Sequence, residues 1–220
     1  YPAILTSASA HFSIARAAVA AGLGTDAVVH IRTDEHGRMD VRELERMCAE
    51  MQADPAHPQG VPLIVCATSG TTVLGAFDDV AAIAEVCRKY DLWLHVDASW
   101  GGAAAFLPHD APERSVLAGL ENAHSITINP HKLLGVTHQC SFLLVHDKSV
   151  LIPPSHSDGG YLFHVPAEDA LDMATKTLGC GRRGDALKFY LVWLRYGTQG
   201  LGDHIAHGLR MAQALWQRLQ

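Results

Sequence analysis

The sequence predicts an α/β domain built on a mixed, mostly parallel sheet, and three observations predict it. Pro62 to Thr68 is a continuous apolar run of strand length, the pattern of a strand buried on both faces of a parallel sheet. Amphipathic helical patterns, Asp40 to about Gln52 and Asp79 to Tyr90, alternate with such runs. Two further strands, Trp93 to Asp97 and Ser125 to Asn129, end in polar residues. An open α/β sheet binds its ligands there, beyond the carboxyl ends of its strands.

Composition sets the outer bounds. A chain of 220 residues can hold one domain with a sizeable core. With 48% apolar and 18% charged residues the composition is globular, not disordered. The net charge of −6 and the lack of a basic run argue against nucleic acid and anionic membrane surfaces. Apolar runs are short and interrupted, so no membrane span and no signal peptide is expected. Five scattered cysteines without a Cys-x-x-Cys pair read as reduced core thiols of a cytoplasmic protein. None of the 14 histidines falls in a compact metal-binding pattern, so no metal is expected.

The elements follow in order. Residues 3–7 read as a short strand or its end. Ser9 is a candidate N-cap for a helix closed by Gly22 and Gly24, with His11 in its first turn. Val28 to Ile31 is a strand, and Asp34 to Gly37 a turn. Asp40 and Glu43 have capping-box spacing before the helix that places Val41, Leu44, Met47 and Cys48 on one side. Residues 53–60 form a surface loop. After the 62–68 strand, Ser69 to Thr72 brings small hydroxyl residues beside Gly70, suited to a ligand contact or to a plain strand-to-helix loop. Val80, Ile83, Ala84, Val86 and Cys87 form the apolar face of the next helix. Residues 103–124 read as a loop with a short helix, and residues 139–145 as a strand returning after Lys132. A loop rich in Pro and Gly spans residues 153–164, the kind of segment that carries function more often than packing. Ala186 to Tyr196 is helical, 197–202 a break, and 203–220 a last helix.

The chemistry is concentrated at two strand ends. Asp97 closes one, and Lys132 follows the other within Asn129 to Lys132. Either residue alone reads as a turn cap or a surface lysine. Together they match the needs of pyridoxal phosphate (PLP). A lysine amine holds its aldehyde as a Schiff base, and a carboxylate keeps its ring nitrogen protonated so that the ring acts as an electron sink. The lysine must be deprotonated to react, which a partly desolvated pocket favours. His95 shares a sheet face with Asp97 and reads as support from behind or as a hydrogen-bonded core histidine.

His95 to Gly102 (HVDASWGG) and Asn129 to Lys132 (NPHK) resemble the group II PLP-dependent amino-acid decarboxylases. Residues 134–141, Gly160 to Phe163 and Cys180 to Arg183 are similar to the glutamate and cysteine-sulfinate branch. The resemblance runs over nearly the whole chain. It implies a three-layer αβα large domain of the fold-type I, aspartate aminotransferase-like enzymes. Residues 1–200 would be that cofactor domain, incomplete at its N-terminus, and 201–220 a helix leading to a C-terminal small domain beyond the chain. The resemblance also implies that a phosphate-binding turn precedes Tyr1 and that the substrate-carboxylate arginine lies in the small domain.

The resemblance assigns roles residue by residue. Lys132 holds PLP and Asp97 partners its ring nitrogen. His11 stacks on the pyridine face, although Ala10 stands where relatives carry Ser. Thr72, Asn129 and His131 contact the cofactor. Tyr161, on the 153–164 loop, returns a proton to the substrate carbon after carbon dioxide leaves. Residues 172–176 (DMATK) depart from the DTGDK of close relatives. The implied protein is a homodimer with its site at the subunit interface, acting on a small L-amino acid: glutamate, cysteine sulfinate, aspartate or diaminobutyrate. Transamination, carbon–carbon lyase chemistry and an inactive PLP-binding fragment remain as alternatives.

Overall fold

The computed structural model describes residues 1–54, 56–151, 176–177, 181 and 183–220. Six strands form one sheet: β1 (Pro2–Ser7), β2 (Val28–Ile31), β3 (Val61–Thr68), β4 (Trp93–Asp97), β5 (Ser125–Ile128) and β6 (Phe142–Val145). Their order is β2-β1-β3-β4-β5-β6, parallel throughout except for the antiparallel β5–β6 pair. The mixed, mostly parallel sheet and the hairpin-like return after Lys132 are as the sequence predicts.

Helices α1 (Ser13–Ala20), α2 (Val41–Ala53) and α3 (Val80–Lys89) cross between strands. Parallel crossovers are right-handed. The step from β1 out to β2 therefore puts α1 on one face, and the steps back through β3 to β4 put α2 and α3 on the other. Side chains bear this out. Leu5, Val65, Leu94 and Val96 pack with Leu44 and Cys48 of α2 and Ile83 and Cys87 of α3. Burying each large aliphatic side chain of this set contributes about 1.5–3 kcal/mol. The opposite face is polar: Thr6, Cys66, His95 and Ser125 share one rung, and Thr68, Asp97 and Thr127 the next. α1 lies over this polar face.

Caps explain where helices begin. The Asp40 carboxylate accepts from the Arg42 and Glu43 amides, and the Asp79 carboxylate from Ala82. Glu43 does not complete the reciprocal half of a capping box. Its carboxylate pairs with Arg46, 2.8 Å away.

Several expectations change. α1 starts at Ser13, not at Ser9, because Ser7 forms a turn that accepts from the Ser9 amide. His11 then precedes the helix instead of sitting in its first turn, and its Nδ1 accepts from the Ser13 amide at 3.2 Å. β3 is buried on both faces only in its second half, since Val61 and Leu63 are exposed. β6 begins at Phe142, because Cys140 bonds to His131 instead of entering the sheet. In place of a helix within 103–124, short 3-10 turns span Gly101–Phe106, Pro112–Leu117 and Leu120–Asn122.

The break expected at 197–202 shrinks to one residue. α4 (Asp185–Leu219) is two helical segments joined at a kink, Gly197, whose backbone is non-helical (φ 66°). Leu201 and Ile205 of α4 pack with Leu107, Leu134 and Cys140 in a second apolar cluster. No helix among the described residues is long and apolar enough to cross a membrane.

Candidate active site

The carboxyl ends of β3, β4 and β5 open into a cleft of about 330 Å³. Asp97 and Lys132 both line it, as the spacing of the two strand ends predicts. His11, Thr72 and Asn129 line it too. His11 comes from the segment before α1, so it faces the sheet residues from across the cleft.

Local geometry fixes each side chain. Asp97 Oδ1 accepts from the Ser99 amide at 3.1 Å, which sets the carboxylate at the end of its strand. Asn129 to Lys132 is a tight turn closed by the Lys132 amide donating to the Asn129 carbonyl at 2.9 Å. The two ends of that turn therefore face the cleft. Asn129 Oδ1 accepts from the hydroxyl of Ser141, just before β6, leaving its amide nitrogen as the donor. His131, at a central position of the turn, does not line the cleft. Its Nδ1 faces both the Cys140 carbonyl oxygen and, at 3.1 Å, the Cys140 amide, and its ring meets His138 edge-on at 4.5 Å. Tyr161 lies outside the described residues.

Lys132 is half-buried, and its Nζ sits 5.4 Å from the centre of the Trp100 ring. Burial lowers its pKa from the ordinary lysine value, while the negative charge of Asp97 works the other way. The balance favours the neutral amine at lower pH than for a free lysine.

Two contributors escape sequence reasoning. Thr68 is only 3% exposed, lines the cleft, and its Oγ1 has no hydrogen-bond partner among the described residues. An orphaned buried hydroxyl is a cost unless a ligand satisfies it. Its signal was the polar residue closing an apolar strand, at the register partner of Asp97. Trp100, the other, is visible in the sequence only as one large side chain among small ones.

The set fits PLP. It holds an amine a few residues beyond one strand, a carboxylate at the end of another, a ring to stack, and an orphaned hydroxyl. The pyridoxal-dependent decarboxylase conserved domain matches residues 1–220. The chain belongs to the pyridoxal-dependent decarboxylase family. It is 44% identical over 220 residues to an L-aspartate decarboxylase of Metarhizium robertsii, covering 99% of this chain and 42% of that protein. It is 43% identical over 221 residues to the cysteine sulfinic acid decarboxylase of Homo sapiens, covering 99% and 43%. The crystal structure of mouse CSAD superposes with a TM-score of 0.86 at 41% identity, covering 99% of this chain and 44% of that one. The chain thus spans less than half the length of these relatives. The decarboxylase family's cofactor is PLP, and its fold accounts for the α/β architecture seen here.

Proposed function

We propose that this chain carries the cofactor site of a PLP-dependent decarboxylase acting on a small acidic L-amino acid. The observation that carries the reading is the convergence of Asp97 and Lys132 on one cleft. When bound, PLP supplies an electron sink for the pair left on the substrate carbon. Lys132, its pKa lowered by burial, would hold the cofactor at its aldehyde carbon through its amine nitrogen. Asp97, held by the Ser99 amide, presents negative charge to the ring nitrogen. His11 would stack on the cofactor ring, and the hydroxyls of Thr68 and Thr72 and the Asn129 amide would offer it hydrogen bonds. Tyr161 is proposed to hold the proton that returns to the substrate carbon, and His131 to support the phosphate side.

The relatives support decarboxylation over transamination. They also support aspartate and cysteine sulfinate as the first substrates to try, with glutamate next. A homodimer with the site at its interface is part of the reading. The exposed apolar face of α4, with Leu187, Tyr190, Leu191 and Leu194 all more than half exposed, is in keeping with it. The reading places the protein in the cytoplasm, in keeping with four buried, unpaired cysteines among the described residues.

The test is the visible spectrum of the natural protein with PLP, before and after borohydride, for the native sequence and Lys132→Ala. The expected outcome is an absorption band that borohydride removes and that Lys132→Ala lacks, with carbon dioxide released from one of the three acids. A band that persists in Lys132→Ala would sink the assignment of the lysine. A keto-acid product would replace decarboxylation by transamination.

A further inference from the structure

The proposed chemistry gives no part to the polar side chains beneath Asp97 and Thr127. His95 on β4 pairs in register with Ser125 on β5, one rung below Asp97 and Thr127. Trp93 Nε1 donates to Ser125 Oγ at 2.9 Å. An indole nitrogen can only donate, so Ser125 accepts there. Ser125 Oγ lies 2.8 Å from His95 Nδ1. Having accepted from Trp93, the hydroxyl has its own proton to give, and Nδ1 takes it. The reverse arrangement, an Nδ1–H donating to Ser125, would load that oxygen with two donors and strand its proton. No other hydrogen bond of Ser125 Oγ is found among the described residues. The ring proton therefore sits on Nε2, 3.4 Å from Thr127 Oγ1. His95 and Thr127 both line the cleft beside Asp97. The origin of the chain is clamped as well: the Trp93 ring stacks on His124 at 4.9 Å, and His124 Nδ1 accepts from the Leu94 amide at 2.8 Å.

We propose that Trp93, Ser125, His95 and Thr127 form a one-way hydrogen-bond relay that fixes His95 as the neutral Nε2–H tautomer and keeps an uncharged ring beside the carboxylate of Asp97. Its part in cofactor binding rests on the function proposed above; the tautomer does not. A neutral ring beneath Asp97 leaves the carboxylate charge for the cofactor's ring nitrogen, whereas an imidazolium there would compete for it. The surroundings favour the neutral ring. Burial lowers the His95 pKa, opposed by Asp97. The neighbouring Cys66 thiol on β3 is held protonated by burial and offers His95 no negative charge.

The experiment is 15N NMR of the His95 ring in the natural protein without cofactor, beside PLP titrations followed by absorbance. The expected native state is a protonated Nε2 and a bare Nδ1 at neutral pH. Ser125→Ala should mix the tautomers and weaken PLP binding about three- to tenfold, the effect of losing one hydrogen bond. Ser125→Thr, which keeps the hydroxyl, should restore both, and Trp93→Phe should give a smaller loss. A protonated Nδ1 or a doubly protonated ring in the native protein would overturn the relay. A changed tautomer with unchanged PLP affinity would overturn its link to Asp97. A native protein with the stated tautomer but no PLP binding would overturn the proposed function, and the role at Asp97 with it.

Discussion

At the scale of single residues, Asp78 helps to keep the cleft in shape without lining it. Its buried carboxylate accepts from the Met39 amide at 2.7 Å and the Thr68 amide at 2.8 Å, tying the end of β3 to the loop before α2. Burial raises its pKa, and the two amides only partly oppose this. A raised folded-state pKa means that Asp78 contributes stability below the unfolded value of 3.8 and loses it as pH rises through the folded value. Asp78→Asn should flatten that part of the pH dependence in denaturant melts. Asp78→Ala leaves two buried amides without an acceptor and should cost about 2–4 kcal/mol. At Lys132 the signs are equally definite. Asp97 raises its pKa against the lowering by burial. Asp97→Asn should therefore shift the pH midpoint of Lys132 labelling by an amine-reactive reagent further down; an upward shift would contradict the opposed charges.

At the scale of elements, two loops that meet above the sheet decide the shape of the site. Gly101 follows β4, and a Cβ there would lie 2.5 Å from the Ser69 carbonyl oxygen and 2.3 Å from the Phe77 ring. A backbone oxygen cannot swing aside as a side chain can. Gly101→Ala should cost about 1–3 kcal/mol in thermal or denaturant unfolding and weaken PLP binding, by pushing the β3 and β4 loops apart. The strands were largely legible in the sequence because burial writes itself as apolar runs, and the helices α2 and α3 because Asp40 and Asp79 cap them. Asp97 and Lys132 were legible because each closes or follows such a run. His131 was not, since spacing does not tell which residues of a tight turn point inward. Here Asn129 and Lys132, at the ends of the turn, face the cleft, and the ring between them turns to Cys140. Thr68 was missed for a different reason. What makes it part of the site is its register with Asp97, a pairing between residues far apart in the chain. The start of α1 was misplaced because Ser7 and His11, not Ser9, take the local amide bonds.

At the scale of the whole molecule, the sheet has two unlike faces. One is an apolar seat for α2 and α3, and the other carries Thr6, Cys66, Thr68, His95, Asp97, Ser125 and Thr127. A buried polar face makes stability depend on pH. His95, with its pKa lowered by burial, favours the fold above its ordinary value of 6.5, and this contribution is lost as pH falls through the folded value. His95→Gln should therefore reduce the loss of stability on acidification below about pH 6.5, measured by chemical denaturation at a series of pH values. An unchanged acid slope would mean that His95 is not neutral in the folded protein. The cleft itself has walls of unequal firmness. Its floor is stitched into neighbouring strands on both sides. Its roof hangs from α1, eight residues long, with no side-chain N-cap and with Phe12 and Val19 more than half exposed beside it. An uncapped helix this short opens more readily than a strand paired on both sides, so hydrogen exchange should protect the floor amides longer than those around His11.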